Sequence, residues 1–245
     1  MTSHAARGTL GRVCGRFFLV ADADTLVDEF QLVRDNPLSR LTPSWNVAPT
    51  HLLPVVGRRE GGRALRRLRW GLVPHWARTA EDGAKHANAR AETIFERSAF
   101  RDPARARRCL VPASGFYEWQ RAGRARTPWA FAPAEGPLLA FAGLWDRWVA
   151  PDGEELRTVT LVTTDASDDV RAVHDRMPVI LARDAWALWL DARSDLDAVR
   201  AVLRPAPAGT LRAWAVDPRV GSVAHNDAGL LAPAAPPVQP TLGIG

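Results

Sequence analysis

The chain has 245 residues, 47% of them hydrophobic and 24% charged, with a formal net charge of +5. That balance suits one sizeable globular domain and excludes a disordered, collagen-like or disulfide-built chain. No apolar run reaches the roughly 18–20 residues that cross a bilayer, and the N-terminus has no apolar signal core, so a cytoplasmic protein is expected.

Residues 1–12 show no periodicity and read as an arm. Arg16–Val20 reads as a strand and Asp22–Leu32 as a helix capped by Asp22 or Asp24. A Pro-rich passage, Asn36–Pro49, follows. Leu52–Val56 and Leu65–Trp70 read as strands joined at Gly61–Gly62. Gly71–Ala89 reads as a long ordered loop and Arg90–Glu96 as a short helix. Cys109–Pro112, Phe116–Gln120, Pro128–Phe131, Leu138–Trp145 and Thr158–Thr163 are strand-like. Ala166–His174, Arg183–Leu190 and Asp195–Leu203 read as helices, and the Pro-rich end as a flexible tail. Strands predominate without regular strand–helix alternation. The expected fold is a single α+β domain, a twisted, barrel-like and mostly antiparallel sheet system with scattered helices.

Of the 32 basic residues only Lys85 is a lysine. Two explanations stay open: GC-rich coding bias, and phosphate binding through guanidinium forks. Ten tryptophans add surfaces on which bases can stack. The two cysteines form no CxxC pair and the histidines no HxxxH pair, so neither a disulfide scaffold nor a metal or other cofactor is expected.

Four segments place polar groups in apolar or glycine-bearing surroundings: Val13-Cys14-Gly15-Arg16, His86-Ala87-Asn88-Ala89-Arg90-Ala91-Glu92, Ser114-Gly115-Phe116-Tyr117-Glu118-Trp119 and Val173-His174-Asp175-Arg176-Met177-Pro178. In order with Trp45-Asn46-Val47-Ala48-Pro49-Thr50, Trp70-Gly71-Leu72-Val73-Pro74-His75-Trp76, Arg108-Cys109-Leu110-Val111-Pro112-Ala113 and Phe141-Ala142-Gly143-Leu144-Trp145-Asp146, they resemble the SOS response-associated peptidase (SRAP) family. The resemblance spans about residues 13–233. It implies a domain from 14 to 233, a segment 1–13 that is non-native or removed, and a tail at 234–245. It also implies capture of abasic sites in single-stranded DNA as a thiazolidine crosslink, with associated lyase and self-processing activity. Cys14, Asn88, Glu118 and His174 are the implied catalytic group. The implied partner is abasic single-stranded DNA, including single-strand–duplex junctions, bound by a monomer that associates with the nucleoid.

In that family the cysteine follows the initiator methionine and becomes residue one. Here thirteen residues precede Cys14. Val13 fits a GUG start codon read as methionine and trimmed; cleavage at Val13–Cys14 is the alternative. Either route removes Arg7 and Arg12, and the formal side-chain charge falls from +5 to +3. A freed α-amine has a pKa of about 7.7–8.0, low enough to attack an aldehyde near neutrality, and the thiol two carbons away can close a five-membered ring.

Glu118, in its apolar setting, is expected to have a raised pKa and to move protons during sugar ring opening and loss of water. Asn88 is expected to hold the amine or thiol, and His174 to shuttle a proton or bond phosphate or sugar. Arg16, Arg90 and Arg176 are placed on flanking phosphates, Trp76 and Trp119 on bases, and Asn46 and Thr164 in the pocket wall. Cys109 reads as a buried small apolar residue. Two competing readings use the same residues differently: a thiol peptidase with Cys14 as nucleophile and His174 as base, and a passive single-stranded-DNA binder.

Overall fold

A computed structural model describes residues 15–33 and 41–234. Cys14, the arm before it and the tail at 235–245 lie outside the described residues. The strands are β1 (Arg16–Leu19), β2 (Ser44–Val47), β3 (Leu52–Arg59), β4 (Gly62–Trp70), β5 (Asn88–Arg90), β6 (Arg108–Ala113), β7 (Gly115–Ala122), β8 (Ala125–Pro133), β9 (Leu139–Val149), β10 (Glu155–Asp165), β11 (Arg176–Pro178) and β12 (Leu211–Ala215). The helices are α1 (Ala23–Phe30), α2 (Arg101–Ala106), α3 (Asp168–Arg171), α4 (Trp186–Leu190) and α5 (Leu196–Ala201).

Strand β10 organises the larger sheet. One edge pairs antiparallel with β9 and then with β11; the other pairs parallel with β4 and then with β5. Since β4 continues through β3 and β6 to β9, five strands close into a barrel. Thr158 to Thr164 are all buried, as a strand covered on both faces requires. A Cβ at Gly143 would stand 2.9 Å from Cys109 Sγ and 3.1 Å from Val111 Cγ2, so the inward face closes tightly there. β3 and β6 are registered only at Val56 and Leu110; beyond that point the β3–β4 hairpin splays away.

The second sheet, in the order β12-β8-β7-β1-β2, is antiparallel throughout. Its Phe17 and Phe116 reach the barrel. Phe17 lies 5.3 Å from Trp70 and 6.1 Å from Phe141, centroid to centroid, and Phe116 lies 6.0 Å from Phe141. These rings join both sheets in one core and plug one end of the barrel. The opposite face of this sheet buries Phe18, Tyr117, Val216, Val220 and Leu230.

Several expected elements change under tertiary contact. The passage Asn36–Pro49 contains β2, recruited by β1; residues 34–40 lie outside the described set. Asn88–Arg90 is a strand because the free edge of β10 accepts it, and only a single 3-10 turn, Ala91–Thr93, remains of the expected helix. The helix expected at Ala166–His174 shortens to α3, which leaves His174 in the turn beyond it. Helix α2 and strand β12 carry too little local signal to be expected. The start of the expected tail is tied down, with Ala234 N–H donating to Ala215 O. Asp22 does cap α1, accepting from Thr25 N–H. Among the described residues no helix is long and apolar enough to cross a membrane.

Gly143→Ala should lower stability by about 1–3 kcal/mol through overpacking. The urea midpoint should fall at unchanged slope, and adding Cys109→Ala should recover part of the loss.

Candidate functional site

Glu118 sits on β7 opposite Trp129 of β8 and is only 2% exposed. His174 approaches it from the turn after α3, with Nε2 3.9 Å from Glu118 Oε2. That turn is strapped in place. Val170 O accepts from the His174 N–H, Asp175 O accepts from the Ala166 N–H, and Gln120 Nε2 on β7 donates to Ala172 O. The Arg176 backbone N–H donates to His174 Nδ1 at 3.0 Å. Nδ1 is therefore the acceptor, and the proton of the neutral ring belongs on Nε2, directed at Glu118. Asp175 Oδ1 also lies 3.1 Å from Nδ1, but a neutral Nδ1 already accepting a proton donates none to it. Burial pushes the His174 pKa below its ordinary value, against the opposing pull of Asp175.

An open cleft of about 640 Å³ reaches His174 and is walled also by Arg90, Trp119, Arg121, Asp165 and Arg176; Glu118 is not part of its wall. Arg90 and Arg121 are exposed and Trp119 is half-buried. Arg121, also on β7, is not among the residues expected from the sequence; three residues from Glu118 it faces the other side of the strand, and no local pattern marks it. Asn88 is half-buried on β5, beside Leu161 and two residues before Arg90. The chain enters β1 next to Glu118, because Arg16 is registered with Tyr117.

Other residues expected at the site have different surroundings. Arg176 does not present its guanidinium to a ligand. Nη1 binds Glu92 Oε1 and Asp165 Oδ1, both at 2.7 Å, and Nη2 binds Glu92 Oε2 at 3.0 Å and Thr163 O at 2.9 Å. It ties the segment after β5 to the end of β10 and to the His174 turn. Arg16 donates to Asn46 Oδ1, Val220 O and Gly221 O, which holds β1 to β2 and to the covering segment. Asn46 is 1% exposed, and its Nδ2 donates to Val220 O, Ser222 O and His225 O. It is an internal anchor rather than a pocket wall. Thr164 is buried on β10 opposite Met177. Trp76 is 55% exposed, but its segment packs at the other half of β10, where Val73 N–H donates to Thr158 Oγ1 and Trp148 Nε1 donates to Ala77 O. Thr158 is seven residues from Asp165, roughly 23 Å along the strand.

Fold and site define an α+β domain in which a buried carboxylate and a neutral imidazole sit under exposed arginines. That arrangement suits proton transfer on an anionic ligand. The chain belongs to the SOS response associated peptidase (SRAP) family, which it matches over residues 13–223. It is 38% identical over 221 residues to the abasic site processing protein YoaM of Bacillus subtilis, covering 89% of this chain and 97% of that one. It is 36% identical over 184 residues to the abasic site processing protein HMCES of Gallus gallus, covering 62% of this chain and 55% of the relative. A crystal structure of a protein from Bacteroides thetaiotaomicron superposes with a TM-score of 0.82 at 26% identity, covering 91% of this chain and all of that one.

In long-range proton–nitrogen NMR spectra at pH 7, His174 should be the neutral, Nε2-protonated tautomer and should titrate below about 6.5. A charged or Nδ1-protonated ring at that pH would contradict the assignment.

Proposed function

We propose that this chain processes abasic sites in DNA by capturing them in single strands as a thiazolidine on Cys14. The α-amine of Cys14, freed by loss of residues 1–13, adds to the C1′ aldehyde of the opened sugar. The carbinolamine loses water to give an imine. The thiol then adds to the imine carbon while its proton passes to the nitrogen, so aldehyde and aminothiol yield a ring and one water. The ring removes the imine that would promote strand cleavage.

The observation that carries this reading is the β1–β7 register. Arg16 pairs with Tyr117, the residue before Glu118, so the chain leading from Cys14 starts beside the buried carboxylate. Glu118 gives a proton to the departing hydroxyl. His174, its Nε2–H facing Glu118, supports that carboxylate. Asn88 orients the amine or thiol. Arg90 and Arg121 meet the flanking phosphates, and Trp119 gives a stacking face to a neighbouring base. The reaction as written consumes no cofactor. We further assign it to a monomer acting in the cytoplasm on single strands and single-strand–duplex junctions, with associated lyase and N-terminal self-processing activity. The thiol-peptidase reading gains less support, since the Nδ1 lone pair of His174 is already taken by the Arg176 N–H.

Protein beginning at Cys14 should form a heat- and denaturant-stable adduct with abasic single strands and none with intact strands. Cys14→Ala should abolish it. Glu118→Gln should slow it on the order of 10²-fold. A stable adduct with Cys14→Ala would overturn the ring chemistry, and no adduct from correctly trimmed protein would overturn the function.

Phosphate contacts separate by salt dependence. Arg90→Ala or Arg121→Ala should each reduce the slope of log K against log salt by about 0.7, the single-strand value per phosphate. Arg176→Ala should leave the slope unchanged while slowing adduct formation, because it loosens the His174 turn.

A further inference from the structure

The barrel end opposite the Phe17–Phe116–Trp70 plug is open. It forms a cavity of about 1010 Å³ under the splayed β3–β4 hairpin, bounded by β6 and the end of α4. Val55, Leu68, Cys109 and Trp145 form an apolar floor. Arg157 stands in its wall on β10, eight residues from Asp165 at the catalytic cleft, roughly 26 Å along the strand. This is a separate place on the molecule.

The rim is strongly basic, with seven arginines against two carboxylates. The carboxylates are shared thinly. Asp191 serves both Arg58 and Arg193, and Glu155 outside the cavity serves both Arg147 and Arg157. Arg63 is held by Phe30 O, Gln31 Oε1 and the face of Trp186. Arg108 is held by the carbonyls of Ala104, Arg105, Trp189 and Asp191. Neither set neutralises its guanidinium. Arg66 is exposed and makes no ion pair among the described residues. The cavity therefore offers uncompensated positive charge above an apolar floor. A bare anion would leave that floor unused. A compact ligand with a flat apolar ring and a phosphate uses both parts, since guanidinium planes and indole faces stack on rings and guanidinium forks match phosphate.

We propose that this barrel mouth binds a nucleoside phosphate, with the base against Trp145 and the apolar floor and the phosphate on Arg66 and its neighbours at the rim. The ligand is a free nucleotide or the phosphorylated end of a DNA strand, and the proposal does not depend on the chemistry at Cys14. Gly57 lines the cavity, and a Cβ there meets nothing within 4 Å. A large side chain at 57 is therefore expected to narrow the mouth.

The test is a fluorescence titration of the full chain with methylanthraniloyl-labelled dATP at low salt. Saturable binding is expected. Gly57→Trp and Arg66→Glu should each weaken it about tenfold or more, with folding checked by circular dichroism and adduct formation with abasic strands unchanged by Gly57→Trp. Displacement by dAMP identifies a free nucleotide as ligand. Displacement by a 5′-phosphorylated oligonucleotide but not by dAMP identifies a strand end. The proposal is overturned if labelled dATP does not saturate, if inorganic phosphate or an acidic peptide displaces it as well as dAMP does, or if Gly57→Trp binds like the parent chain.

Discussion

Strand β10 is satisfied on both edges, and the site follows from that. A buried strand must find partners for its N–H and C=O groups along its whole length. The barrel strands β9 and β4 supply them only over the first part of β10. The remaining groups, from Leu161 to Asp165, recruit Asn88–Arg90 on one edge and Arg176–Pro178 on the other. Those two short strands carry or adjoin Asn88, Arg90 and His174. The hydrogen-bonding need of one buried strand thus gathers groups that lie more than 80 residues apart in the chain.

Arg176 locks what β10 gathers. Its side chain joins Glu92 to Asp165 and Thr163, while its backbone N–H sets the tautomer of His174. Moving this guanidinium would disturb both flanking strands and the direction of a proton at once. An arginine two residues from His174 is naturally read as a phosphate ligand. Here two carboxylates consume its charge, and the exposed Arg90 and Arg121 are better placed to meet a polyanion. Arg16 and Asn46 act in the same internal way on the second sheet, where they hold the start of β1 against the covering segment at 220–225.

The barrel is asymmetric along its axis. Aromatic rings from the second sheet plug one end and couple the barrel to β1 and to β7, which borders the cleft at His174. The other end, beyond the Val56–Leu110 register, loses its cross-strand partner and opens among arginines. The narrow seam between β3 and β6 therefore makes the second cavity possible, while broad pairing elsewhere keeps the core continuous.

The sequence by itself determined the longer strands, the α+β class and the family, because alternating apolar runs and ordered motifs are local and survive without knowledge of partners. It also pointed to Glu118 and His174, through polar residues set in apolar motifs. The short strands β2, β5, β11 and β12 were illegible, since three to five residues carry no periodicity and become strands only when an edge accepts them. The roles of Arg16, Asn46 and Arg176 were equally hidden. Whether a guanidinium faces solvent or a carboxylate depends on residues up to 205 positions away, and only the tertiary structure decided which charges were left to meet a ligand.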